Sequence, residues 1–262
     1  MPDSNYNTLT YLVESNTAKI ILDRPPANLI DREMTLEYHD ALKKADADQK
    51  IRVIVLAGNG NGLSGGLDLY YIEKFNSEEM REFLQLFYVE TMKITRGLSK
   101  PIIAAVHGYA REGACTLAFA CDMIIASDNA DFGYPGVPNL AAPPGMHVWI
   151  LQKLIGRMKA AELILTGKIL KATEAEKMGL ITKVVPANSL MLETEKIAQK
   201  IAQMSPLAIK KARHLMYEME DMSFHDIPEK AVEALSSAFN TEDSREARKA
   251  FIEKREPVWK GK

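Results

Sequence analysis

The sequence predicts an α/β protein, with buried strands and glycine turns in its first part and helices in its last. Three observations carry this. Residues 53–57, 101–106 and 123–126 are continuous apolar runs of strand length, as expected of strands covered on both faces. The first two run straight into glycine turns, Gly58-Asn59-Gly60-Asn61-Gly62 with Gly65-Gly66, and His107-Gly108. From about residue 188 onward, apolar residues recur at helical spacing.

Residues 8–13 and 18–22 read as two strands around a polar turn at Ser15-Asn16. Arg24-Pro25-Pro26 blocks further pairing. Asp31 is placed to cap a helix carrying Met34, Tyr38, Ala41, Leu42 and Ala45 on one face. A second helix is expected over residues 77–97. Strand-like triplets at Ile54-Val55-Leu56, Ile102-Ile103-Ala104 and Ile124-Ile125-Ala126, and again across residues 181–185, suggest stacked β–β–α turns with their loops on one side. Asn188 is expected to cap a helix through Ala202, and Pro206 suits a first helical turn. Ala208, Ala212, Leu215, Met216 and Met219 form an apolar stripe, read as core or interface. Thr241-Glu242-Asp243 and Lys254-Arg255 give one helix an acidic start and a basic end, which complements its dipole. The expected division is a core over residues 1–200 and a helical region over 201–262.

Composition narrows the classes. The chain has 262 residues, 47% apolar and 26% charged, with a formal net charge of −2. That balance gives no bulk electrostatic reason to bind nucleic acid or a membrane surface. No apolar run is long enough for a transmembrane helix. Met1-Pro2-Asp3-Ser4 lacks the features of an export signal. Cys115 and Cys121 lie in one apolar stretch and read as reduced core thiols, which suits a cytoplasmic location. The five histidines show no ligand spacing, so no metal is expected. No Gly-x-Gly-x-x-Gly follows a strand, so no nucleotide redox cofactor is expected.

Two segments are placed to do chemistry. Leu63-Ser64-Gly65-Gly66-Leu67-Asp68-Leu69 follows a buried strand, and its glycines allow close backbone approach to a ligand. The segment from His107 to Ala118 also follows a strand and enters a helix at Glu112-Gly113-Ala114. Backbone N–H groups there are unscreened by large side chains. Two such groups aimed at one point make an oxyanion hole, although tight turns alone explain the glycines equally well.

These segments, with Arg24-Pro25 and Asn28, Lys100 to Ala110, Leu117 to Asp122, Ala130-Asp131-Phe132-Gly133, Ala161 to Gly167 and Ala175 to Ile181, occur in an order and at a spacing that resemble the crotonase, or enoyl-CoA hydratase/isomerase, superfamily over nearly the whole chain. The resemblance implies a crotonase-type spiral of repeated β–β–α turns with a C-terminal helical trimerisation region. The assembly would be a homotrimer or dimer of trimers. It also implies an acyl-CoA thioester as partner, a place in fatty acid metabolism, and no cofactor beyond the CoA moiety of the substrate. The N–H groups of Gly65 and Gly113 would hold the thioester oxygen. Ala27, Asn28, Leu29, Ser64, Gly66, Leu67 and Asp68 would contact the CoA moiety, Asp68 structurally. Phe251 and Lys254 would contribute to the CoA site of a neighbouring subunit.

The chain departs from the family at the acid–base positions. Hydratases of the family carry one glutamate three residues after the second oxyanion glycine and another after Phe-Gly-x-Pro. Here those places hold Thr116 and Gly136. Thr116 is left to position a water or to pack, and Tyr134 to hydrogen-bond a substrate polar group. Glu112 adjoins Gly113, but a place in the first helical turn is expected to aim it away from a ligand. His147 is expected to be an ordinary helix histidine, and Asp122 to anchor the strand after it. The readings that remain are a hydratase- or isomerase-type enzyme acting through a thioester enolate, an acyl-CoA decarboxylase, or a non-catalytic acyl-CoA-binding protein.

Overall fold

The computed structural model describes residues 6–262, so the polar start of the chain lies outside the described residues. Strands β1 (Leu9–Glu14) and β2 (Thr17–Leu22) form an antiparallel hairpin, closed at Ser15 in the left-handed region. Helix α1 (Arg32–Ala47) follows, and Asp31 caps it by accepting from the N–H of Met34. Met34, Tyr38, Ala41, Leu42 and Ala45 are all buried, as their spacing requires. Strand β3 (Val53–Gly58) then enters the centre of the sheet.

After β3 come the short helix α2 (Leu69–Ile72), α3 (Ser77–Leu84) and α4 (Thr91–Gly97). A π-helical segment, Gln85–Glu90, joins α3 to α4, so the helix expected over 77–97 is continuous but widened in its middle. The chain continues through β4 (Ile102–Val106), β5 (Tyr109–Arg111), α5 (Gly113–Phe119), β6 (Met123–Ser127), β7 (Asp131–Gly133), α6 (His147–Thr166), β8 (Leu170–Lys171), α7 (Ala172–Lys177) and β9 (Lys183–Val185). Helices α8 (Leu190–Ala202), α9 (Pro206–Glu220), α10 (Ile227–Phe239) and α11 (Glu242–Glu253) complete it.

The four strand-like repeats become neighbours. The larger sheet has the order β1-β2-β3-β4-β6-β9, parallel from β2 onward, and a smaller sheet has the order β5-β7-β8. Each turn of the chain adds a strand to the larger sheet and, in the later turns, one to the smaller. One face of the larger sheet carries Ile54, Leu56, Ile102 and Ala104 into the main core. The other carries Val53, Val55, Ile103 and Ala105 against α8. Burial on both faces explains why these strands are apolar without alternation.

The turn after β4 depends on Gly108, whose φ is +58°. A Cβ there would lie 1.9 Å from the carbonyl oxygen of Asn61, a backbone atom with little room to retreat. Gly108→Ala is expected to lose at least about 1–2 kcal/mol from the left-handed backbone alone, with the clash adding to it. Urea denaturation would measure the loss, and an unchanged midpoint would contradict this packing.

Two expectations, for Asn188 and for Asp122, need correction. Asn188 does not cap α8: it lies in a 3₁₀ turn, Ala187–Ser189, and the residue before the helix is Ser189. Residue 200 lies inside α8, and Ser205 caps α9. The stripe on α9, read as core or interface, lies outside the core of this chain. Met216 is 71% exposed, whereas Arg213 on the same helix is buried. Four hydrogen bonds explain that burial. Arg213 donates to the Asp122 carboxylate at 2.9 Å and to the carbonyls of Thr95, Arg96 and Leu98 at the end of α4. Asp122 in turn accepts from the N–H of Ile102 and the hydroxyl of Tyr217, so it anchors the start of β4 rather than the strand that follows it.

Candidate functional site

The site forms where the loops after β2, β3 and β5 meet. Asn28 binds the first two together. Its φ of 51° turns the chain, its Nδ2 donates to the carbonyls of Asn59, Gly62 and Leu63, and its Oδ1 accepts from the N–H of Arg24. Ser64 donates its hydroxyl to the Asn28 carbonyl and accepts from the N–H of Gly66. Asp68 accepts from Arg24 at 2.8 Å and caps α2. Asn28, Ser64, Gly66 and Asp68 are therefore buried in the framework of the site. Ala27, Leu29, Gly65 and Leu67 keep accessible surface. Accessible and buried residues alternate along both segments, which separates the two sets.

The same alternation decides which N–H groups are free. The Gly65 N–H donates to the carbonyl of Ala27 at 2.8 Å, so Gly65 is not the donor expected for a thioester oxygen. Leu67 sits in a parallel bridge opposite Ile30. The N–H of Ile30 goes to Gly66 and the N–H of Asp68 goes to Ile30, so the N–H of Leu67 points to the other side. On that side runs the segment leading to Gly113, with Ser64 bridged to Ala110. In that register Leu67 lies opposite Gly113. A Cβ on Gly113 would lie 3.1 Å from Leu67 Cδ2. Among the described residues no acceptor takes the N–H of either Leu67 or Gly113. Pairing parity, not glycine, marks the first donor.

The acid–base positions are rearranged. Thr116 is fully buried, and its hydroxyl lies 2.9 Å from Nε2 of His147. That nitrogen also lies 2.8 Å from the carbonyl oxygen of Glu112. A carbonyl only accepts, so Nε2 carries the hydrogen. Burial lowers His147 to about 4, and the imidazole is neutral near pH 7. Tyr134 packs edge-on against His147 at 4.6 Å. Its hydroxyl is enclosed, and burial, with Cys115 beside it, pushes its pKa well above the usual phenol range. Thr116, Tyr134 and His147 are all fully buried.

Two titratable side chains of this cluster keep accessible surface, Tyr88 and Glu112. Tyr88 comes from the π-helical segment, a distortion often found at functional sites. Its hydroxyl lies where a Cβ on Gly145 would come within 2.5 Å. Burial raises Tyr88 to about 12, the Glu112 carboxylate adds to that, and the Thr116 hydroxyl opposes it. Glu112 is not in the first helical turn. It precedes α5 with φ 40° and ψ −105°, outside the regions open to ordinary residues. That backbone swings its side chain to Gly136, whose N–H donates to Oε1. No periodicity in the sequence signals either placement.

Phe251 is 85% exposed, and Lys254 ends α11 in the left-handed region. No hydrogen bond joins either of them to the segments around Leu67 and Gly113.

A spiral of parallel strands that ends in paired, unspent backbone donors defines a class of protein suited to stabilising charge on a ligand oxygen. Residues 13–262 match the enoyl-CoA hydratase/isomerase family, and the chain belongs to it. It is 35% identical over 260 residues to a probable enoyl-CoA hydratase of Mycobacterium bovis, covering 96% of this chain and 97% of that one. It is 31% identical over 253 residues to the crotonyl-CoA hydratase of Syntrophomonas wolfei, covering 95% and 96%. The crystal structure of enoyl-CoA hydratase from Bacillus anthracis superposes with a TM-score of 0.92 at 31% identity, over 98% of this chain and all of that one. The family acts as lyases and isomerases on CoA thioesters.

Proposed function

We propose that this chain binds an acyl-CoA along Ala27, Leu29, Gly65 and Leu67 and holds the thioester oxygen between the N–H groups of Leu67 and Gly113. It then performs a lyase or isomerase reaction through the thioester enolate. The observation that carries this reading is the pair of unspent donors facing each other across one register of extended chain. Charge developing on the thioester oxygen is stabilised there without reorganisation of solvent. Thr116 and Tyr134 support the pocket rather than exchange protons with substrate. No cofactor beyond the CoA moiety is needed, and the two free cysteines suit a cytoplasmic setting.

The C-terminal region leaves Phe224, Leu235, Phe239 and Phe251 largely exposed. Uncovered apolar surface of this kind supports assembly into a trimer or dimer of trimers, with Phe251 and Lys254 serving the site of a neighbouring copy.

A panel of enoyl-, hydroxyacyl-, β,γ-unsaturated and malonyl-type CoA thioesters, read by mass spectrometry, tests the reaction. Gain or loss of water, or a shifted double bond, is the expected result. Loss of carbon dioxide would make the chain a decarboxylase, and binding without change on any member would make it an acyl-CoA-binding protein.

A further inference from the structure

We infer that Glu112 is the acid–base residue of this site, a single carboxyl seated in the space that a side chain at position 136 would fill. This deepens the acyl-CoA reading above and rests on it. Three contacts fix the place. The Cβ of Glu112 lies 3.4 Å from where a Cβ on Gly66 would stand, next to the Leu67 donor. Its own chain continues directly into the Gly113 donor. Its Oε1 accepts from the N–H of Gly136, and a Cβ on residue 136 would come within 2.8 Å of that oxygen. A side chain at 136 and the Glu112 carboxylate therefore exclude one another. Gly136 is small because Glu112 occupies its place.

The rest of the cluster holds Glu112 there. Its N–H donates to the Gly133 carbonyl at 3.0 Å, and its carbonyl accepts from His147. These bonds maintain a backbone conformation that a residue other than glycine adopts only when its surroundings hold it there. His147 is thus a positioning residue, and Thr116 shares its hydrogen. Partial burial lifts the Glu112 carboxyl above the usual carboxylate range while the Gly136 N–H holds it down. A raised pKa of this kind brings a carboxyl nearer the range in which it both takes and returns a proton.

One carboxyl suffices for the chemistry. As carboxylate, Glu112 takes an α-proton. The C–H electron pair becomes the enolate double bond, and the thioester oxygen carries the charge between the two N–H groups. The neutral carboxyl then returns a proton to the α-carbon, or to the γ-carbon of an isomerising substrate. In water addition, the same carboxylate takes a proton from water as the oxygen bonds to the β-carbon. It then gives that proton to the α-carbon. Nothing is oxidised or reduced, and Glu112 ends as it began.

The test is exchange of the α-protons of butyryl-CoA in deuterium oxide, read by mass spectrometry, with thioester binding measured separately by calorimetry. Glu112→Gln and Glu112→Ala are expected to slow exchange by about 10²–10⁴-fold with binding retained, and the acid limb of the wild-type pH profile should vanish in both. Adding Gly136→Glu to Glu112→Ala reseats a carboxyl in the same space and should recover roughly tenfold or more of the rate. Exchange at the wild-type rate in Glu112→Gln overturns the assignment. So does a wild-type protein that binds butyryl-CoA but exchanges nothing. A wild-type protein that binds no CoA thioester overturns the acyl-CoA reading itself.

Discussion

Gly113→Pro lowers turnover of a CoA thioester by about 10²–10³-fold, the loss typical of one oxyanion donor. Proline removes the N–H and, at the first position of α5, breaks no intrahelical bond. The variant also adds a Cβ, which would meet Leu67 Cδ2 at 3.1 Å and Phe87 Cζ at 3.2 Å. Gly113→Ala adds the same Cβ and keeps the N–H, so it isolates the effect of crowding. The expected pattern is a large fall in kcat for proline and a much smaller one for alanine, with both proteins folded by circular dichroism. Equal losses in the two variants would assign the effect to packing and remove Gly113 from the oxyanion pair.

Asp122→Ala destabilises the protein by about 3–5 kcal/mol, the cost of leaving a buried charge without its partner. The guanidinium of Arg213 is 4% exposed and would keep its three carbonyl acceptors but lose its only carboxylate among the described residues. Ile102 and Tyr217 would lose their acceptor in the same step. The bond network ties α9 to the start of β4 and the end of α4, so the loss spreads over three elements. Chemical denaturation checks it. A loss below about 1 kcal/mol would place the pair among weak surface ion pairs.

Much of the architecture was legible because it rests on local signals. Unbroken apolar runs at 53–57 and 102–106, of strand length and each followed by a glycine turn, fit strands buried on both sides. The cap at Asp31 and the spacing from Met34 to Ala45 fix α1 before any packing is considered. The order of short motifs along the chain identified the family, and with it the segments that surround the site.

The roles within those segments were decided by tertiary structure. Whether Gly65 or Leu67 offers a free N–H depends on which neighbour each faces across a bridge, and composition carries no trace of that. Glu112 reads as a helix residue until the Gly133 and His147 contacts hold its backbone at φ 40°. Nothing in the local sequence marks Arg213 for burial, which depends on Asp122, 91 residues away in sequence, accepting its charge. Local sequence sets which conformations are cheap. Only the folded chain sets which donors are left over, because leftover donors are a property of pairing and not of residues.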